Sequence, residues 1–267
     1  MLGYNFNVLL ATNTTGSHAT HSSYGNFFWV SFFVRFCFIF FRNCTQLRTG
    51  LDCSIHIWNT TNLTFVAKIT DAHNKAVSSI AANSTYVFTG SLNVIKVWKF
   101  DSSSQNSKFY EAKQNLTQTV LEYVDDLSDV SNYVRVLAIN ETEDELYAGS
   151  TRLVTVWDIG KMRLKRQISV PGEVFSLLII KGFILAGTDE KLIHVWRNDE
   201  SKEFTCRLRG HVGTVHSLAS LTTGDSVRVF SASADRCLRV WSMENMLCAQ
   251  VRRSCFVTFY NSGLFRH

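Results

Sequence analysis

Five tryptophans, Trp58, Trp98, Trp157, Trp196 and Trp241, each close a short run of alternating β-formers and recur roughly every 40 to 60 residues. The runs read C-S-I-H-I-W, V-I-K-V-W, L-V-T-V-W, L-I-H-V-W and C-L-R-V-W. Alternation with a period of two is the mark of a strand that turns one face inward. Self-similarity at about 40 residues is the mark of propeller blades. One blade cannot cover its own apolar faces, so repeats of this kind fold only by stacking on their neighbours.

Composition narrows the function more than the fold. The chain has 267 residues, 46% of them hydrophobic, which suffices for one propeller core. A single proline argues against a disordered chain. The net charge is only +5, with both signs interspersed, so no electrostatic footprint for nucleic acid is expected. The seven cysteines, Cys37, Cys44, Cys53, Cys206, Cys237, Cys248 and Cys255, form no C-x-x-C pair. Zinc and redox motifs are therefore not expected; reduced, buried thiols in a cytoplasmic protein are.

The two ends do not follow the repeat. Residues 27–41 are the most hydrophobic stretch, but they fall short of a bilayer span, and Arg35 sits in the middle. A membrane anchor is therefore the lesser expectation, kept as the alternative reading of this stretch. Phe, Cys, Ile, Val and Ser share T-rich codons, as a pyrimidine tract before a splice acceptor would. Gln250-Val251-Arg252 is what a splice donor would encode after CAG. The expectation is that 1–48 is a non-homologous hydrophobic segment, 49–250 the propeller region, and 251–267 a non-homologous tail.

Within 49–250 the alternation gives a partial first unit and four fuller ones, about four and a half blades. The last is the most complete, from Gly210-His211 through V-H-S-L-A-S-L and V-F-S-A-S-A-D to Trp241. Residues 100–133 depart from the pattern. Val120, Val124, Leu127 and Val130 stand at helical spacing there, which predicts a helical turn on a long connection or a partner-binding helix. Asp125, Asp126 and Asp129 lack the spacing of a calcium loop.

His211, Ser231 and Asp235 have the residue types of a nucleophilic triad. In a WD-type repeat these residues, with Trp241, do structural work instead. With the four strands of a repeat lettered a to d in chain order, the histidine before strand a can bond the aspartate of the b–c turn, the strand-b serine can bond the histidine, and the indole can donate to the serine. A nucleophile would need an exposed oxygen, and the G-x-S-x-G elbow is missing. His73, Thr89 and Trp98 repeat part of the set, with Asn93 near the aspartate's place. No phosphate-loop, dinucleotide or H-E-x-x-H motif occurs, so no catalytic residue, cofactor or metal is expected.

G-H-V-G-T-V-H-S-L-A at 210–219, V-F-S-A-S-A-D-R-C-L-R-V-W-S-M-E-N-M at 229–246 and K-L-I-H-V-W at 191–196 resemble the C-terminal WD-repeat propeller of a TRAF-type (TNF-receptor-associated factor) E3 ubiquitin ligase. The resemblance covers about 49–250. It implies an all-β, seven-bladed WD-repeat β-propeller, incomplete here. It also implies a docking role in kinase-cascade and apoptosis signalling, with a mitogen-activated kinase kinase kinase as partner. Ubiquitin transfer in such a protein belongs to a RING with eight Cys/His zinc ligands, a pattern lacking in this sequence. The chain is therefore expected to dock proteins rather than to catalyse.

Overall fold

The computed structural model describes residues 36–41, 45–50, 52–59, 64–100, 121–127, 132–199, 204–224 and 226–253, and every element among them is a β-strand. Blade I comprises β1 (Phe36–Phe41), β2 (Thr45–Gly50), β3 (Ile55–Asn59) and β4 (Phe65–Ile69). Blade II comprises β5 (Ser79–Ala82), β6 (Tyr86–Ser91), β7 (Val94–Phe100) and β8 (Leu121–Leu127). Blade V comprises β15 (Val215–Thr223), β16 (Ser226–Ser233), β17 (Cys237–Ser242) and β18 (Leu247–Arg253). Each is an antiparallel meander in chain order.

Between them lie β9 (Val136–Ile139), β10 (Glu145–Asp158), β11 (Arg163–Ile180), β12 (Phe183–Thr188), β13 (Ile193–Arg197) and β14 (Phe204–Leu208). Two of these strands are too long for a blade. β10 doubles back on itself: Arg152 has φ 61° and Ile159 N donates to Asp144 O at 2.9 Å. Its halves are the middle strands of blade III. β11 passes from blade III to blade IV, pairing first with β10 and then with β12. The change falls at Val170-Pro171-Gly172, where the only proline of the sequence removes a ladder donor. Gly172 takes φ 78° there, and a Cβ on it would stand 2.4 Å from the Asp189 carboxylate.

Inner strands touch in chain order, β1 to β5, β5 to β9, β9 to β11 and β11 to β15. Core clusters form between blades: Phe88, Val97 and Leu127 of blade II pack with Leu137, Leu146 and Trp157 of blade III. Three junctions share one device. Gly90, Gly149 and Gly187 hold the same place in T-G-S, A-G-S and A-G-T, and a Cβ there would come within 2.6, 2.7 and 2.7 Å of Val134, Val174 and Val215 of the following blade. At two of these junctions a serine hydroxyl also crosses over. Ser79 Oγ donates to Val134 O at 3.4 Å, and Ser176 Oγ to Val215 O at 3.3 Å.

The architecture is the incomplete all-β propeller expected from the repeat, with two local differences. The first unit, read from sequence as partial, has four strands, because β1 and β2 pair in register from Phe36↔Gly50 to Phe41↔Thr45. The hydrophobic run thus supplies an inner strand as far as it is described. Helical spacing at Val124 and Leu127 misled the reading of 100–133: both lie on β8, the outer strand of blade II, paired from Ile95↔Leu127 to Phe100↔Leu121. Leu127 is buried while Val124 is 41% exposed. An outer strand with one covered face satisfies either period over so few residues. Val120, Asp129 and Val130 lie outside the described residues, and no helix among those described is long and apolar enough to cross a membrane.

Gly187→Val should destabilise the chain by about 2–3 kcal/mol, because the incoming strand bearing Val215 would have to move. Urea unfolding checks this. The same change at Gly182, whose Cβ would meet nothing within 4 Å but whose φ is 75°, should cost left-handed backbone strain without a packing clash.

Candidate functional site: the tryptophan network of each blade

In all five blades the pairing of the third and fourth strands slips by one residue immediately before the tryptophan, at Ile57/Trp58, Val97/Trp98, Val156/Trp157, Val195/Trp196 and Val240/Trp241. A bulge re-aims a side chain, and here it is shared by every indole. Five residues earlier each hairpin turns through a left-handed residue: Cys53, Asn93, Arg152, Lys191 and Arg236, with φ between 59° and 68°. The next residue back is the tetrad aspartate's place, held by Asp52, Leu92, Thr151, Glu190 and Asp235.

Blade V brings all four predicted residues together. His211 Nδ1 lies 2.8 Å from Asp235 Oδ2, His211 Nε2 lies 2.7 Å from Ser231 Oγ, and Trp241 Nε1 donates to Ser231 Oγ at 2.8 Å. The histidine is an Nδ1–H donor to the carboxylate and an Nε2 acceptor from the serine. Asp235 also accepts from the backbone N–H groups of Val212 (3.0 Å) and Cys237 (2.8 Å). Burial alone would raise its pKa, but these donors and His211 hold it below the ordinary carboxylate value. Ser231 is fully buried, so this serine has no access to a substrate.

Blade II keeps three of the four. His73 Nε2 lies 2.7 Å from Thr89 Oγ1, and Trp98 Nε1 donates to the same oxygen at 2.8 Å. Asn93 does not complete the set. It is the left-handed residue of the turn, its Oδ1 accepts from Asn132 N at 2.8 Å, and Leu92 stands where the carboxylate would be. His73 Nδ1 is consequently buried without a partner. Burial, then the nearby Lys96 charge, push this histidine down to about 4.

In blades III and IV the strand-b hydroxyl is replaced by Ala148 and Ala186. Trp157 Nε1 turns instead to Thr155 Oγ1 of its own strand, at 3.1 Å. Trp196 stacks on His194, centroids 5.7 Å apart and planes at 22°, and both nitrogens of that histidine lack hydrogen-bond partners. Thr155 and His194, two residues before their tryptophans and fully buried, were missed in the sequence. Aligning L-Y-A-G-S and I-L-A-G-T beneath V-F-S-A-S reveals the missing hydroxyl. Trp58 of blade I has a buried Nε1 without a partner among the described residues. Its ring meets Phe65 edge-on at 5.4 Å, as Trp98 meets Tyr123 and Trp196 meets Phe204 on their outer strands.

Arg135 pairs with Glu173 at 2.5 Å, Lys161 with Asp158 at 3.6 Å and Lys165 with Glu145, while Arg166 reaches Asn198 and, at 3.0 Å, Asp199 O. Arg135, Lys165 and Arg166 thus link separate strands, while Lys161 pairs within its own turn. Cys53, Cys206, Cys237 and Cys248 are thiols, half-buried where full burial was expected; Cys37, Cys44 and Cys255 have no described side chains. Among the described residues no three His, Cys, Asp or Glu side chains gather as metal ligands.

Two segments, 64–99 and 202–242, match the model of the WD domain, G-beta repeat family. Each runs from the outer strand of one blade through three strands of the next. The solved structure of U3-55K superposes with a TM-score of 0.65 over 79% of this chain and 61% of that one, at 16% identity. Zinc finger CCCH domain-containing protein 17 of Oryza sativa subsp. japonica is 27% identical over 105 residues, 39% of this chain and 24% of the relative. The chain thus spans about a quarter of that relative and three fifths of the solved chain. The fold and the matched repeats support a WD-repeat protein built as an incomplete β-propeller, an architecture that suits a protein-interaction scaffold.

Ser231→Ala would leave His211 Nε2 and Trp241 Nε1 buried without a partner, at about 2–3 kcal/mol, read from chemical denaturation. A second expectation concerns pH. Burial first, aided by Lys96 for His73 and Arg207 for His194, holds His73, His194 and His211 below the ordinary 6.5; Asp235 only partly offsets it at His211. The unfolded chain binds protons that the folded chain refuses, so stability should fall as pH drops from 6.5 toward about 4. His73→Gln should shallow that fall; an unchanged slope would contradict the assignment.

Proposed function

We propose that this chain is a protein–protein docking scaffold, the WD-repeat region of a TRAF-type RING E3 ubiquitin ligase acting in kinase-cascade and apoptosis signalling in the cytoplasm. The observation that carries this reading is the blade V string, G-H-V-G-T-V-H-S-L-A with V-F-S-A-S-A-D-R-C-L-R-V-W-S-M-E-N-M, which is similar to the propeller of the seventh such factor. Its tetrad supports docking over chemistry: His211, Ser231, Asp235 and Trp241 satisfy one another inside the blade, which rigidifies a scaffold and leaves no nucleophile facing outward. By the resemblance, the partner is a mitogen-activated kinase kinase kinase. Transfer of ubiquitin would belong to a RING elsewhere in such a ligase.

Affinity capture with the purified chain should retain a mitogen-activated kinase kinase kinase. The chain mixed with activating and conjugating enzymes should transfer no ubiquitin. Failure to retain the kinase would remove the signalling assignment. Ubiquitin chains formed by this polypeptide alone would make it an enzyme.

A further inference from the structure

Two blades carry an acid and a histidine at the same two places of the hairpin that leads to the tryptophan. Asp52 and His56 of blade I precede Trp58 as Glu190 and His194 of blade IV precede Trp196. In the other blades these places hold Leu92 and Lys96, Thr151 and Thr155, and Asp235 and Arg239. In blade I the pair is closed. His56 Nε2 lies 3.0 Å from Asp52 Oδ2, and Lys68 Nζ, from the residue opposite His56 on β4, reaches the same oxygen at 3.2 Å. In blade IV the pair is open, with His194 Nε2 and Glu190 Oε2 4.0 Å apart, beyond hydrogen-bond reach. The imidazole is fully buried with no hydrogen-bond partner at either nitrogen, while the carboxylate is 46% exposed on the b–c turn. Arg207 pairs with His194 across β13 and β14, in the place that Lys68 takes in blade I.

We propose that Glu190 and His194 form a proton-operated latch on the rim of blade IV. Near neutral pH the ring is neutral and the carboxylate stands in solvent. When the ring takes a proton from solvent, both of its nitrogens become donors, and a buried cation without a counter-charge is costly. Glu190 then turns inward, accepts from Nε2 and lies between His194 and Arg207, as Asp52 lies between His56 and Lys68. Its side chain is one methylene longer than that of Asp52, and its Cγ already lies over Gly172, 2.8 Å from where a Cβ would stand. Asp189 is not a competing acceptor, because its carboxylate receives Glu173 N at 2.7 Å. Burial first, then the Arg207 charge, oppose protonation of the ring, and Glu190 favours it; Ala186, opposite His194 on β12, carries no charge. The latch therefore closes on the acid side of the ordinary histidine value of 6.5. Closure withdraws a carboxylate from the rim, so the outward charge of that face depends on pH whatever the partner.

A nuclear magnetic resonance titration of the full 267-residue chain tests this. The His194 ring signal, assigned by its loss in His194→Gln, should titrate below pH 6.5, and the backbone amides of 189–192 should shift in the same step. Glu190→Gln alters a half-exposed side chain and should leave the fold intact. It should lower the proton affinity of His194 about tenfold and uncouple the turn from the ring. A histidine that is merely buried would titrate without moving the turn, and would do so alike in the wild type and Glu190→Gln. Either result would overturn the proposal, as would a ring that stays neutral until the chain unfolds.

Discussion

The indole N–H of each repeat tryptophan is delivered by a one-residue bulge into the body of its blade, and what it meets there decides the rest of the blade's polar chemistry. A buried N–H without an acceptor is costly. Blade V meets it with a serine that a histidine and an aspartate hold in place. Blade II uses Thr89 but has no carboxylate behind His73. Blade III substitutes Thr155 from the same strand, and blade IV sets the indole against a stacked histidine. The bulge is common to all five; the partners are not.

That variation ranks the blades. The complete network of blade V ties the approach to strand a, the b–c turn and two strands into one unit. Blade II carries an orphaned histidine nitrogen and blade IV two, so these blades depend more on apolar stacking. The stacking is secured by the glycine of strand b, which lets a valine of the following blade press against the backbone. Tryptophan networks shape each blade, while the glycine–valine contacts set how blades follow one another. A docking scaffold needs both, since its rim loops are positioned only as well as the sheets beneath them.

Much of this was legible in the sequence. The period of the tryptophans gave the blades, and G-H, S-A-S-A-D and the final W gave the blade V tetrad residue by residue. What escaped notice did so for identifiable reasons. The first two strands of blade I lie in and beside a run so hydrophobic that the alternation of a half-buried strand is erased. The strand at Leu121–Leu127 has one inward residue at its end, and so few residues fit a helical period as well. The roles of Thr155 and His194 depend on an absence elsewhere, Ala148 and Ala186, which only the register of neighbouring strands makes visible. Asn93 looked like a stand-in for aspartate because it is polar; the turn uses it for its left-handed backbone.

The central claim is that the indole N–H groups of Trp98, Trp157 and Trp241 are each secured by a hydroxyl of their own blade. Hydrogen exchange of the ¹⁵N-labelled indole protons, followed in the wild type and in Ser231→Ala, tests it most directly. Exchange should be slow at Trp98 and Trp241, faster at Trp58, and selectively accelerated at Trp241 in the variant. Uniform rates across the five indoles, or a variant that accelerates all of them alike, would contradict it.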